Sequence, residues 1–343
     1  VILRRICWTA GALLLSACAG APAYRPPALE LPLAWKLEAP WRVGHPADAA
    51  AKGAWWQVFD NQELNALEQQ TLANSPTLAV AQARLAQARA ALAATSASAL
   101  PQLGLNERVA NQKISANRPL SSYNSPNYST VQNELSIAMT VSYELDLAGR
   151  VEQSIAGAKA LAEQSAADLE NTRLLLSADL AANYFNLREL DGELDVLGRA
   201  VGLQRRALEL VQARYQLGAA SGLDLAQQQA LLEATLVQLE LLRRQRSQFE
   251  HAIATLSGIA APLFSLPVDL RELTVPALPL GLPSDVLQRR PDIAAAERAM
   301  AAANAQIGVA NAAFYPSITL GSALGVDSRD LATLFNAPSL LWS

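Results

Sequence analysis

Few side chains in this sequence could do covalent or acid–base chemistry, and they stand far apart. Nucleophilic catalysis needs a Ser, Cys or Thr within hydrogen-bond reach of a base, and a metal site needs converging His, Cys or carboxylate ligands. The 343 residues include two cysteines, Cys7 and Cys18, two histidines, His45 and His251, and two methionines. Both cysteines fall within the first twenty residues. His45 sits in a proline-rich stretch, and His251 lies on a helical pattern, where it reads as a surface or seam residue. The carboxylates are scattered along polar helix faces rather than gathered beside a base. No catalytic residue, metal site or cofactor is therefore expected, and two methionines do not make a methionine-lined copper path. Lys and Arg number 27 against 31 Asp and Glu, a net charge of −4 with no basic stripe, which sets nucleic acid aside as a partner.

The cysteine with a chemical context is Cys18. It closes "VILRRICWTAGALLLSAC", in which Arg4 and Arg5 precede an apolar run to Leu15 and then small residues. That is the layout of a secretory signal, and the run is too short for a comfortable membrane span. "LSAC" (Leu15–Cys18) resembles a bacterial lipobox, in which residues 1–17 are removed and Cys18 becomes the lipidated first residue. Ala19 after it resembles lipoproteins sent to the outer membrane. The alternative is a buried apolar helix with two incidental cysteines.

The elements follow in order. Residues 18–54, with "APAYRPPALELPLAW", read as an extended tether. Residues 55–75 read as helix, with Trp55 and Trp56 as packing anchors. From Pro76 to Pro101 the alanine-rich "PTLAVAQARLAQARAALAATSASALP" is a strong helix by propensity. A similar run, "PDIAAAERAMAAANAQIGVANAAFYP", spans Pro291–Pro316; the prolines are 25 apart in both, and the copies are offset by 215. At that offset Leu78, Leu85, Leu92, Leu103 and Leu105 match Ile293, Met300, Ile307, Ile318 and Leu320, which marks an internal duplication.

Strand patterns follow each copy. Between Val131 and Leu145 apolar residues hold nearly every odd position and polar or small ones the even positions, a period of two. Such a strand would reach roughly 50 Å, more than a tilted membrane strand of about 9 to 11 residues requires. "QLGLNERVA" (Gln102–Ala110) alternates more weakly, and "NQKISANRPLSSYNSPNYS" between them reads as a polar loop. Residues 102–146 are thus expected to form a membrane β-hairpin, with a soluble sandwich strand as the alternative. "SITLGSALGV" (Ser317–Val326) repeats the alternation.

No proline occurs in the 135 residues between Pro126 and Pro262. Within that stretch Arg150–Leu217 reads as one helix of about 68 residues, near 100 Å long. A heptad seam runs through Leu180, Asn183, Leu187, Leu190, Leu194, Leu197, Val201, Gln204, Leu208, Val211 and Tyr215, with polar breaks at Asn183 and Gln204. The returning segment carries Leu225, Leu232, Leu239, Leu242, Phe249, Ile253 and Leu256. Residues 147–257 are therefore expected to form an antiparallel coiled-coil hairpin joined by "GAASG". Gly218 suits a helix stop, and Asp224 suits a helix start. Residues 258–288 read as a connecting segment and 289–343 as the start of the second repeat, where Asp292 in "RRPD" suits a helix-start acid. Backbone groups in lipid must all be paired, so membrane strands must close into a barrel. Two strands from each repeat cannot close one alone, and three copies of four strands would make twelve.

"WWQVFDNQELNALEQQTLANSPTL", "LPQLGL", "YELDLAGR", "RYQLGAASGLDL", "GLPSDVLQRRPDIAAAER" and "FYPSITL" together resemble the outer membrane factors, the TolC-like family, and especially its efflux lipoprotein branch (NodT- or OprM-like). The resemblance runs from about Tyr24 to Ser343. It implies a mainly α fold with membrane β: a homotrimer in which long coiled-coil helices build an α-barrel and the strands share a twelve-stranded outer-membrane β-barrel. It implies an exit duct for small molecules, served by a periplasmic adaptor and an inner-membrane transporter of the RND type. The tip residues Gly218, Ala219, Ala220, Ser221, Gly222 and Leu223 would be the adaptor-docking surface, with Arg214 and Asp224 as gating links that break on opening. Each of those two also reads more simply, Asp224 as an N-cap and Arg214 as a solvated charge.

Two further readings stay open: a structural periplasmic coiled-coil lipoprotein that conducts nothing, and a duct for protein secretion. The second repeat stops at Ser343, while the family's second hairpin is being completed. A last strand, a second long helix and a second tip are expected beyond it, so the chain is expected to be an incomplete piece.

Overall fold

A computed structural model describes residues 53–117, 129–271 and 289–343, together with Pro276 and Leu287. Cys7, Cys18, His45 and the tether up to residue 52 lie outside the described residues. The backbone is mainly helical with four strands. In chain order the elements are α1 (Gln62–Asn74), α2 (Pro76–Ala97), β1 (Gln102–Ile114), β2 (Thr130–Leu145), α3 (Arg150–Gln216), α4 (Gly222–Leu256), α5 (Pro291–Ala312), β3 (Ile318–Ser328) and β4 (Leu340–Trp342). They group into two compact units, one from Ala86–Gln164 and Ala296–Ser343, the other from the described parts of Glu30–Leu85 and Ser165–Ala295.

The helix expected over 55–75 is two pieces. Trp55–Phe59 is a 3-10 turn that stops at Asp60, whose φ of 47° no helix accommodates. Asn61 then restarts the chain as the N-cap of α1, its side chain accepting the Leu64 N–H at 3.0 Å. α2 ends at Ala97, four residues before Pro101, because Gln102 donates to the Ala97 and Leu100 carbonyls at 2.7 and 3.0 Å and turns the chain into β1. The two alanine-rich helices are 22 residues each, and the 215-residue offset carries the bounds of α2 onto those of α5.

In the first unit the strands form one antiparallel sheet in the order β1-β2-β3-β4, with β1 and β4 at its edges. Register puts Leu103 opposite Val141, Leu105 opposite Met139, Leu320 opposite Tyr143 and Leu324 opposite both Met139 and Trp342. Directly opposed residues share a face, so one face is mainly apolar, with Glu107, Asn111, Lys113, Asn133, Ser322 and Ser328 as its polar members. The other carries Asn106, Arg108, Gln112, Glu134, Thr140, Ser142 and Thr319. β1 runs four residues past its expected end, because Asn111, Gln112, Lys113 and Ile114 still pair with β2, and Asn111 donates to the Asn133 side chain at 2.7 Å. Polar cross-strand pairs hold a strand as well as apolar ones do, but they leave no hydropathy alternation to read.

In the second unit the heptad seam is the core. Leu180, Leu187 and Ile253 are fully buried with Tyr184 and Leu64, and Trp56, Leu67 and Leu266 close the cluster. Farther along the hairpin Val201, Leu232 and Leu239 form a smaller cluster, flanked by Leu194, Leu197, Leu208 and Leu236. Among the described residues no helix is long and apolar enough to cross a membrane.

Candidate functional site

The turn between α3 and α4 is built from local hydrogen bonds. Gly218 adopts a φ of 72°, the left-handed region that only glycine enters at low cost. Its N–H donates to the Tyr215 carbonyl at 3.0 Å, and the Ala219 N–H donates to the Arg214 carbonyl at 2.8 Å. That pair is a Schellman stop, and it ends the helix at Gln216, one residue before the sequence pattern does. The N-cap of α4 is Ser221, not Asp224. The Ser221 hydroxyl accepts the Asp224 N–H at 3.2 Å while the Asp224 carboxylate accepts the Ser221 N–H at 2.9 Å and its hydroxyl at 2.8 Å, a reciprocal capping box. The Ser221 backbone N–H, then its hydroxyl, hold the Asp224 carboxyl below the ordinary range, and Arg214 adds a smaller Coulombic pull. Arg214 itself makes no ion pair among the described residues, so the two suggested gating residues are not linked within one chain. The tip presents apolar side chains to solvent, with Leu217 83% and Leu223 65% exposed.

The carboxylates are not all scattered, which corrects the sequence reading. Asp191, with a side chain wholly buried, accepts from Arg188 at 2.7 Å and from Arg246 at 2.6 Å. Arg188 also binds Glu63 at 2.5 Å and the Pro267 carbonyl at 2.7 Å. Arg246 donates to the Leu266 carbonyl at 2.8 Å, Glu250 accepts the Leu266 N–H at 2.6 Å, and Asp191 accepts the Asp269 N–H at 3.2 Å. Hydrogen bonds from Arg271 hold the Asp269 carboxyl down to about 2. The cluster ties α1, α3, α4 and residues 266–269 together. It presents no nucleophile beside a base. Glu63 and Arg188 are 125 positions apart and Asp191 and Arg246 are 55, and no local pattern announces the cluster. His251 is exposed and stands outside it.

A second signal missed in the sequence is an apolar stripe at heptad spacing, Val196, Leu203, Leu210 and Leu217, whose members are 59% to 83% exposed. Its first three members lie beside the buried seam on α3, and Leu217 follows the helix's last residue. The sheet carries its own exposed apolar face, with Val109 82% and Leu103 74% exposed.

Comparisons with known proteins agree with this geometry. The family model for outer membrane efflux proteins matches residues 67–259 and 282–343. The pyoverdine export outer membrane protein OpmQ of Pseudomonas aeruginosa is 31% identical over 339 residues, 98% of this chain and 70% of that protein. The cation efflux system protein CusC of Escherichia coli is 31% identical over 339 residues, 97% of this chain and 70% of that one. Among solved structures, the outer-membrane channel OprN superposes with a TM-score of 0.78 at 28% identity, covering 95% of this chain and 72% of its own. The CmeC outer membrane channel of Campylobacter jejuni gives 0.79 at 25% identity, covering 95% and 69%. These are transport channels rather than enzymes. With an open antiparallel sheet, a capped helical hairpin and a family match over most of its length, this chain belongs to the outer membrane efflux protein family.

Proposed function

We propose that the chain is the outer-membrane component of a tripartite efflux pump, a passive exit duct for small molecules across the periplasm and outer membrane. The observation that carries this is the sheet: four antiparallel strands with one face mainly apolar and exposed, the other polar or small, and β1 and β4 at its edges. An open edge in lipid is not tolerated, and an apolar face needs a cover. Three copies joined edge to edge would make the twelve-stranded barrel, with lipid on the apolar face and water on the polar one. The exposed Val196–Leu217 stripe supports lateral packing of hairpins into an α-barrel.

On this reading Gly218, Ala219, Ala220, Ser221, Gly222 and Leu223 dock the periplasmic adaptor, since small residues and two exposed leucines offer a low, apolar contact. Arg214 and Asp224 are gating links between copies rather than within one. Cys18 is the lipid anchor of the mature chain in the outer membrane. The inner-membrane partner is a transporter of the RND type.

The test is heat-modifiable gel mobility with crosslinking of the chain in outer-membrane extracts. A trimer that unfolds only on heating is the expected result. A chain that is membrane-anchored but never crosslinks as a trimer, with strands open to protease, would instead be a structural coiled-coil lipoprotein.

A further inference from the structure

Long helices in water are built from residues that favour helix, and glycine in a helix interior costs about 1 kcal/mol relative to alanine. α3 carries three glycines within eleven positions, Gly192, Gly198 and Gly202. Such glycines usually make room for a neighbour. Here a Cβ added at any of the three would meet nothing within 4 Å. By contrast, at Gly157 of the same helix the added atom would touch Ala305 at 3.4 Å. Packing among the described residues therefore gives no reason for glycine at 192, 198 or 202.

Two further observations fall on the same stretch. Gln204, the polar break in the heptad seam, has its side-chain oxygen buried without a hydrogen-bond partner. The seam is thus interrupted at Gln204, two positions past the last of these glycines. The stretch also begins next to the buried cluster of Arg188, Asp191 and Arg246, a clasp whose last member on α3 is Asp191. Before it, Leu176, Leu180, Tyr184, Leu187, Arg188 and Leu190 are all buried; beyond it, Val201 is the one α3 residue buried to that degree among the described residues.

We propose that residues 192–204 are a compliant segment built into α3, a hinge between the clasped part of the hairpin and the part that carries the 218–223 turn. Glycine lowers the cost of bending a helix at each position, and the unsatisfied Gln204 lowers the cost of parting α3 from α4. α4 has no glycine after Gly222, so α3 yields while α4 guides. The consequence that the turn can shift while the clasp stays fixed bears on opening only if the chain is a duct. The compliance itself does not depend on that reading.

The test is amide hydrogen exchange on the purified full chain in detergent, read peptide by peptide along α3. In the wild type, amides of 193–206 are expected to exchange about tenfold or more faster than those of 176–190. In the Gly192→Ala, Gly198→Ala, Gly202→Ala variant the fast amides should slow by about fivefold for each glycine replaced, while 176–190 is unchanged. Gln204→Leu should slow the same amides with every glycine in place. Uniform protection along α3, or an alanine variant that exchanges like the wild type, overturns the proposal. Loss of a crosslinked oligomer in the alanine variant also overturns it, because the glycines would then be points of close approach for a second copy. A chain that shows the exchange pattern but forms no trimer keeps the hinge and loses the duct.

Discussion

Arg188 and Asp191 face each other across one turn of α3 at 2.7 Å, and the side chain of Asp191 has no exposure to solvent. A carboxylate so buried is stabilised by its partners, here two guanidinium groups and a backbone N–H. Removing one member leaves buried charge uncompensated, at a cost of about 3 to 5 kcal/mol. Asp191→Ala is therefore expected to lower the thermal midpoint sharply and to free residues 266–269 for proteolysis. Arg199→Ala, at an exposed pair with Asp195, should leave both nearly unchanged. Thermal unfolding and limited proteolysis of the two variants, side by side, check this.

Glu68 is fully buried on α1, and neither carboxylate oxygen has a hydrogen-bond partner. Burial pushes its pKa up from 4.5 to about 8. The folded chain then holds a proton that the unfolded chain releases above pH 4.5. Stability from this group is complete below that pH and is lost as pH rises toward 8, an effect on the order of a few kcal/mol. Unfolding midpoints measured from pH 5 to 8.5 should fall for the wild type. They should change less for Glu68→Gln, which cannot ionise.

The turn at 218–223 is held by local caps, so its variants should act locally. Gly218→Ala forces a left-handed backbone on a residue with a Cβ, and Ser221→Ala removes the N-cap. Each is expected to cost about 1 kcal/mol. Amide exchange should rise at the adjoining helix ends and not at the clasp, and chemical denaturation reads the magnitude.

Arg214 has no ion pair among the described residues, and Asp224 is committed to its capping box. Arg214→Ala should leave unfolding of the isolated chain unchanged, whereas Asp224→Ala should loosen the start of α4. If Arg214 serves as a link between copies, its alanine variant raises single-channel conductance in planar bilayers without any change in stability. Unchanged conductance would remove it from the gate.

A Cβ at Gly325 would overlap the Ile137 carbonyl and would lie 2.6 Å from the Ala138 Cα across the β2–β3 pairing. Gly325→Val should break that pairing and abolish heat-modifiable mobility. Gly321→Val should be milder, since a Cβ there meets only the Val141 carbonyl, at 4.0 Å.

The sequence by itself determined the repeat, the strands and the long hairpin, because each is a periodic signal. Heptad spacing identified Leu180, Leu187, Val201, Leu232, Leu239 and Ile253, all buried, and alternation identified β2 to within one residue of its start. Periodicity faded where local hydrogen bonds took over. Asn111, Gln112 and Lys113 near the end of β1 are polar, the break at Asp60 is a single backbone angle, and the cap at Ser221 depends on which of two oxygens faces which N–H. Tertiary structure alone decided the clasp. Glu63, Arg188, Asp191 and Arg246 come from three elements, and each looks like a surface charge until folding brings them together and buries Arg188 and Asp191. It also decided that Glu68 lies inside, since a single carboxylate on a helix face shows its burial only once the face has a neighbour.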